Sequence, residues 1–362
     1  MDYKVSYREK NKSIQCIISY KDNDGEWKTK SKQGFKRQKD AKPWIEKTVE
    51  ELEEKLNVML DEEYQGITFK EFSNIYIKHL ELHREYYTVL NYKTTFDKFS
   101  KLDNKHLDQV SQLDIQIIVD GLVEKGLSRG TILDNLKRLN YIFIAAAKQY
   151  KAISKPPIGK IGDIVIPKSK TKNEIKVLAK SELDDLLDKI RPANDYIITL
   201  LAATCGLRIG EILGLTWDNI DFKKEILTVK RQWKEIEKGV YDFGDLKSKN
   251  SNRVVPIPPK TIIALKEYKN SLKVIPLDNR IVTDKKTKST TSTLIKKYRQ
   301  AGYDISVHGL RHTYATMLIG NKIDFKTAAK FLGHSVDMTI KIYSHVNQDM
   351  IDAATLKIKN IF

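Results

Sequence analysis

The sequence predicts a multidomain α+β fold. A small three-stranded sheet with one helix comes first, then a four-helix bundle, then a mostly helical domain holding a small antiparallel sheet. Three observations carry this. Strand-like alternation is confined to residues 1 to about 60, and helical periodicity fills 66 to about 165. A β-rich stretch then interrupts an otherwise helical C-terminal half. The 362 residues suffice for two or three domains with cores of their own.

In the first segment, residues 1–60, Tyr3, Val5 and Tyr7, then Ile14, Cys16, Ile18 and Tyr20, alternate as strands do. Asp22-Asn23-Asp24-Gly25 supplies a turn before a third strand around Trp27. A helix is expected from about Gln38, with Ala41, Trp44, Ile45, Thr48, Val49 and Leu52 at helical spacing. Lys28, Lys30, Lys36 and Arg37 make the module basic, and strands of this kind can enter a major groove.

Residues 66–165 are expected to be helical throughout. Core stripes run through Phe69, Phe72 and Tyr76, through Tyr92, Phe96 and Phe99, through Leu113, Ile117, Ile118 and Leu122, and through Leu133, Leu136, Leu139 and Phe143. Thr68 and Ser128 are expected N-caps, Gly121 and Gly126 expected stops. A proline- and lysine-rich linker, 166–178, includes Lys168 and Lys170 and is suited to tracking a phosphate backbone. Ser181 is expected to cap the first helix of the last domain, 179–362.

The formal charge is +17, from 64 Lys+Arg against 47 Asp+Glu, which favours a polyanionic partner. Cys16 and Cys205 lie far apart and imply no disulfide framework. Neither an apolar leader nor a run of eighteen apolar residues occurs, so a cytoplasmic protein without membrane partners is expected.

The chemistry concentrates in the C-terminal half. Gly206-Leu207-Arg208-Ile209-Gly210-Glu211 places a carboxylate one turn after an arginine, where Glu211 can orient the guanidinium. His308, Arg311 and His312 share one face of a helix capped by Ser306, whose N-terminus suits a phosphate. Gly333 is a natural left-handed stop before His334, and Ser335 can cap the helix that carries Tyr343. Planar arginines donate paired hydrogen bonds to phosphate oxygens and stay charged, and a tyrosine supplies a nucleophile. A straight nine-residue helix spans roughly 13 Å, so His334 and Tyr343 cannot both touch one phosphate unless the chain bends or the last turn unwinds. A mobile Tyr343, placed for attack only in an assembled complex, is the expectation. Asp184-Asp185 on an exposed face is a poor basis for a metal-dependent nuclease, and neither metal nor cofactor is expected.

These boxes resemble the tyrosine recombinase (phage-type integrase) family, whose Arg, Lys, His-x-x-Arg, His, Tyr pattern falls on Arg208, Lys247, His308, Arg311, His334 and Tyr343. Lys247 is chosen by register before Arg253-Val254-Val255-Pro256, with Lys249 as the alternative general acid. Cys205 departs from a small hydroxyl residue and reads as packing. The first sixty residues, with Gly34-Phe35-Lys36, look like an arm-DNA-binding domain, and 66–165 like a core-DNA-binding domain. The resemblance implies site-specific cleavage and rejoining of double-stranded DNA at core and arm attachment sites. A homotetramer would act through a 3′-phosphotyrosine link and a Holliday junction, with an excision factor and a DNA-bending host protein as partners. The amphipathic tail, with Ile351, Ala354, Leu356 and Ile358, is suited to docking on a neighbouring protomer. Rival readings are a catalytically silent DNA-binding protein and a type IB topoisomerase.

Overall fold

A computed structural model describes residues 2–10, 13–22, 26–56, 62–168, 176–191, 193–283 and 285–343. Most of the expected turn at 22–25, Lys170, the linker beyond Lys168 up to 175, the side chain of Lys249 and the tail beyond Tyr343 lie outside that description. The chain divides into two compact units, residues 1–170 and 171–362.

The first unit opens with β1 (Tyr3–Lys10), β2 (Ser13–Lys21) and β3 (Trp27–Phe35) in an antiparallel sheet of order β1-β2-β3. Strand alternation sorts its side chains. Val5, Ile18 and Lys30 are cross-strand partners, as are Tyr7, Cys16 and Lys32, and Cys16 and Ile18 are fully buried. After a 3-10 turn at Gln38–Ala41, α1 (Lys42–Leu56) meets that face, where Phe35 contacts Trp44 at 6.0 Å and Lys30 pairs with Glu51 at 3.2 Å. The opposite face carries Lys4, Ser6, Arg8, Gln15, Ser19, Thr29 and Ser31. Lys28 and Lys30 lie on the α1 side, Lys28 paired with Asp22 at 2.6 Å, and Arg37 pairs with Asp40 at 3.3 Å.

Four helices follow, α2 (Phe69–His83), α3 (Tyr86–Lys98), α4 (Gln112–Glu124) and α5 (Arg129–Lys148). Thr68 and Ser128 cap α2 and α5 as expected. Phe69, Phe72, Phe99, Leu136 and Phe143 are fully buried, each contributing roughly 1.5–3 kcal/mol of burial. Three expectations fail here. Gly121 lies inside α4, whose stop is Gly126 at φ 76°. Leu113 and Ile117 are exposed, because α4 turns Ile115, Ile118, Val119 and Leu122 inward instead. The last stretch is not helical throughout, and Ala152, Ile153, Ile158, Ile164 and Ile166 pack irregular backbone onto the bundle.

The second unit begins with α6 (Lys180–Lys189). Its cap is Ala179, not Ser181, because the Glu182 carboxylate accepts the Ala179 N–H at 2.7 Å. Then come α7 (Ala193–Cys205), α8 (Ile209–Leu213), β4 (Ile220–Asp221), β5 (Ile226–Val229), β6 (Gln232–Glu237), β7 (Val240–Gly244) and β8 (Arg253–Pro256). The helices α9 (Pro259–Ser271), α10 (Thr287–Gln300), α11 (Val307–Gly320), α12 (Phe325–Leu332) and α13 (Val336–Tyr343) complete it. The order β4-β5-β8 forms one antiparallel sheet and β6-β7 a separate hairpin. Apolar around most of its circumference, α7 is the central helix, burying Ile197, Ile198, Leu200, Leu201, Ala202 and Cys205. No helix among the described residues is long and apolar enough to cross a membrane.

Candidate active site

Glu211 is the hub. Buried α7 ends at Gly206, whose φ of 63° only glycine adopts without strain, and the chain re-enters helix at Ile209 with Arg208 as N-cap. The Glu211 carboxylate accepts the Arg208 backbone N–H at 2.9 Å and Arg208 Nη1 at 2.7 Å. It also takes a two-pronged contact from Arg253, Nη1 to Oε1 at 3.1 Å and Nη2 to Oε2 at 2.7 Å. Arg311 Nη1 lies 3.8 Å from Oε2. Burial pushes the Glu211 pKa up, yet the Arg253 hydrogen bond and charge, then the charges of Arg311 and Arg208, outweigh it and hold the group at about 2.

Arg311 joins three boxes. Ser306 caps α11 by accepting the Gly309 N–H at 3.0 Å, which fixes where Arg311 points. Its Nη1 donates to the Gly206 carbonyl at 2.6 Å, and its Nη2 donates to the Leu332 carbonyl and to His334 Nε2 at 2.8 Å. Because guanidinium only donates, His334 accepts through Nε2 and carries its proton on Nδ1. That Nδ1 and Arg311 Nε are both buried without a partner among the described residues. Burial, then the charges of Arg311 and Arg208 and the nearby His308 and His312, lower the His334 pKa to about 3, so the ring is neutral.

Gly333, at φ 62°, ends α12 and turns the chain, with His334 N–H returning to the Ala329 carbonyl at 3.0 Å. Ser335 then caps α13 by accepting the Met338 N–H at 3.2 Å. The turn and the short α13 bring Tyr343 back to α11, where its hydroxyl lies 2.6 Å from His312 Nδ1. Tyr343 is only 1% exposed and packs within the cluster of α11, α12 and α13. His308 sets its ring edge-on to His312, centroids 4.6 Å apart. Burial, then Arg311 and Arg208, lower the His308 pKa.

Lys247 is exposed in the loop after β7 and makes no hydrogen bond or ion pair to this cluster among the described residues. The loop itself is anchored. Ser251 donates its N–H to Ser248 at 3.0 Å, and the Ser251 carbonyl accepts Arg253 Nη1 at 3.0 Å. A Cβ on Gly333 would stand 3.0 Å from the Asn250 carbonyl oxygen. Arg253, to which no role was assigned from the sequence, also donates from Nε to the Phe331 carbonyl at 2.6 Å. It thus ties β8 to Glu211 and to the end of α12. Its one legible signal was a charged residue opening an otherwise apolar strand. Cys205 is fully buried, in keeping with a packing role.

Gly206→Ala is expected to damage this site from outside it. The new Cβ would lie 2.7 Å from Tyr314 Cε1 and closer still to Cδ1. Left-handed backbone costs an ordinary residue about 1–2 kcal/mol and overpacking roughly 1–3 more. Urea unfolding should register that loss.

Three family profiles match consecutive parts of the chain: an arm DNA-binding domain over residues 4–52, the SAM-like N-terminal domain of phage integrases over 68–123, and the phage integrase family over 176–350. The chain belongs to the phage integrase (tyrosine recombinase) family. A tyrosine recombinase XerC-like protein of Caldanaerobacter subterraneus subsp. tengcongensis is 29% identical over 344 residues, 86% of each chain. The tyrosine recombinase XerC of Bacillus subtilis is 26% identical, covering 78% of this chain and 94% of that one. Among solved structures, the Tn1549 transposon integrase in complex with a circular intermediate DNA aligns at a TM-score of 0.67 and 20% identity, over 81% of this chain and 99% of that one. A lambda integrase dimer bound to a COC′ core site aligns at 0.59 and 16%, over 94% of both. At such identities these structures speak for the integrase fold.

Proposed function

We propose that this member of the tyrosine recombinase family integrates and excises a mobile genetic element by cutting and rejoining double-stranded DNA at specific sites. The observation that carries the reading is the phenol of Tyr343 lying against the Arg311-His312 face of α11, beside two buried donors, Arg311 Nε and His334 Nδ1, that lack partners among the described residues. A phosphodiester's non-bridging oxygens would satisfy such donors. Tyr343 attacks phosphorus while Arg208 and Arg311 neutralise the crowded oxygens, His308 and His334 donating beside them. Lys247 protonates the leaving 5′ oxygen, with Lys249 as the alternative. The 3′-phosphotyrosine conserves the bond energy, and a partner strand's 5′-hydroxyl reverses the step through a Holliday junction between four protomers.

Arm-site contacts belong, on this reading, to the sheet face opposite α1. There Lys4 and Lys21 flank the half-exposed ring of Trp27 at 5.5 and 6.0 Å. Lys36, at the end of the module, and Lys168, at the start of the linker, are exposed and remain candidate backbone contacts. An excision factor and a DNA-bending host protein are the further partners proposed.

The test is covalent capture of the full chain on nicked suicide duplexes tiled across the DNA flanking its own gene. A protein–DNA adduct is expected at one mapped site, and gel shifts with no adduct on any duplex would leave a silent DNA-binding protein. Exchange between two sites, against plain supercoil relaxation, separates recombination from topoisomerase action. Arg311→Ala should slow adduct formation on the mapped duplex by about 10²–10³, the usual loss for one oxyanion-type donor.

A further inference from the structure

We propose that His312 is a further catalytic residue, the base that takes the phenolic proton of Tyr343 as it attacks phosphorus. This rests on the recombinase reading above. The Tyr343 hydroxyl lies 2.6 Å from His312 Nδ1, within direct proton-transfer distance, and both groups sit within the cluster formed by α11, α12 and α13. His312 Nδ1 touches the reacting oxygen, which no other catalytic candidate contacts among the described residues.

The surroundings decide the ring's protonation. His308 and Arg311 face it from its own helix, His334 from the turn after α12, and Tyr343 from α13. Burial first, then the neighbouring His308 and the Arg311 charge, lower the His312 pKa to about 4, which leaves a neutral ring with a free lone pair. Burial raises the phenol to about 12, with Arg311 acting the other way, so it does not ionise unaided near neutral pH. A phosphodiester seated on Arg208 and Arg311 adds a negative charge beside the ring and favours the imidazolium.

The step balances. The Tyr343 O–H bond breaks and its proton goes to His312 Nδ1 while the phenolic oxygen bonds to phosphorus. The bond from phosphorus to the 5′ oxygen breaks, and Lys247 supplies the proton that makes the 5′-hydroxyl. In reversal the imidazolium returns its proton to the departing phenol.

The experiment uses the full chain and a duplex bearing a 5′-bridging phosphorothiolate at the mapped cleavage position. A thiolate leaves without a proton donor, so the rate reports on activation of the tyrosine alone. In His312→Asn the amide oxygen can still accept from the phenol but cannot hold its proton, and His312→Gln tests a second geometry. Single-turnover cleavage near pH 7 should fall by about 100-fold or more. DNA affinity and thermal melting should be unchanged. The variant rate should climb about tenfold per pH unit between 7 and 9, as hydroxide replaces the base, where the wild type stays flat.

Wild-type cleavage by His312→Asn and His312→Gln would overturn the assignment, as would a loss equal at every pH, which would mean mere positioning. Faster cleavage would also overturn it, marking the contact as a brake. Absence of any wild-type adduct on ordinary or phosphorothiolate duplexes would sink the recombinase reading itself.

Discussion

Tyr343→Phe is expected to abolish covalent capture on DNA completely while leaving a folded protein that still shifts the same duplex. The substitution removes one oxygen and nothing else. The ring is 1% exposed and packs in a small cluster with Tyr314, Ala315, Ile319, Ala328 and Leu332, all of which a phenylalanine can still meet. What disappears is the hydroxyl bonded to His312, and a single such bond is worth about 1 kcal/mol of stability. A small fall in melting temperature with no adduct at all is therefore the outcome that fits a nucleophile. Adduct formation by the variant, checked on a denaturing gel, would show that another side chain attacks.

The second large effect concerns Glu211→Gln. Arg253 is a buried cation whose carboxylate partner is equally buried, 2% and 3% exposed at the side chains. Losing one member of such a pair costs about 3–5 kcal/mol, because a charge is stranded away from water. An amide retains one oxygen and turns an NH2 group toward guanidinium donors, so it cannot serve both Arg208 and Arg253. The variant should unfold at markedly lower urea concentration, and adduct formation should fall with it as Arg208 and Arg311 lose their common anchor. The pH dependence has a definite sign. Glu211 titrates at about 2 in the folded chain, below an ordinary glutamate. It therefore contributes stability that is full above the unfolded pKa of about 4.3 and fades as pH falls through the folded value, worth roughly 3 kcal/mol. Urea midpoints followed from pH 5 down to pH 2 should show this limb in the wild type and a flatter one in the variant.

The parts of this molecule that could be read from the sequence are those encoded within a turn or two of chain. Arg208 and Glu211 are three residues apart, Ser306 caps its own helix, and Gly333 announces its left-handed backbone. The bundle helices could be placed because their caps and apolar spacing agree. Where two patterns competed, periodicity alone chose wrongly. In α4 the apolar residues at 113, 115, 117, 118, 119 and 122 support two inward faces, and only packing against the rest of the bundle selects Ile115 over Leu113 and Ile117. The cap of α6 went to Ala179 because a glutamate three residues on can reach back over any backbone N–H. Lys28 and Lys30 were legible as basic but not as facing α1, which depends on register with Ile18 and Tyr20.

The site itself was readable as a set of residue types, and unreadable in its wiring. Arg253 meets Glu211 across 42 positions and Phe331 across 78, distances over which no local rule speaks. Tyr343 reaches His312 because Gly333 reverses the chain, and a straight helix drawn from His334 could not anticipate that.

Three guanidinium groups converge on the single carboxylate of Glu211, so the pocket is left two positive charges out of balance. Like charges held this close raise the free energy of the empty fold, and an oxyanion entering beside them relieves it. Occupancy and folding are thereby thermodynamically linked: the chain resists unfolding more when a phosphate fills the pocket than when water does. The same imbalance that readies these side chains for substrate makes the unliganded protein the less stable of its two forms.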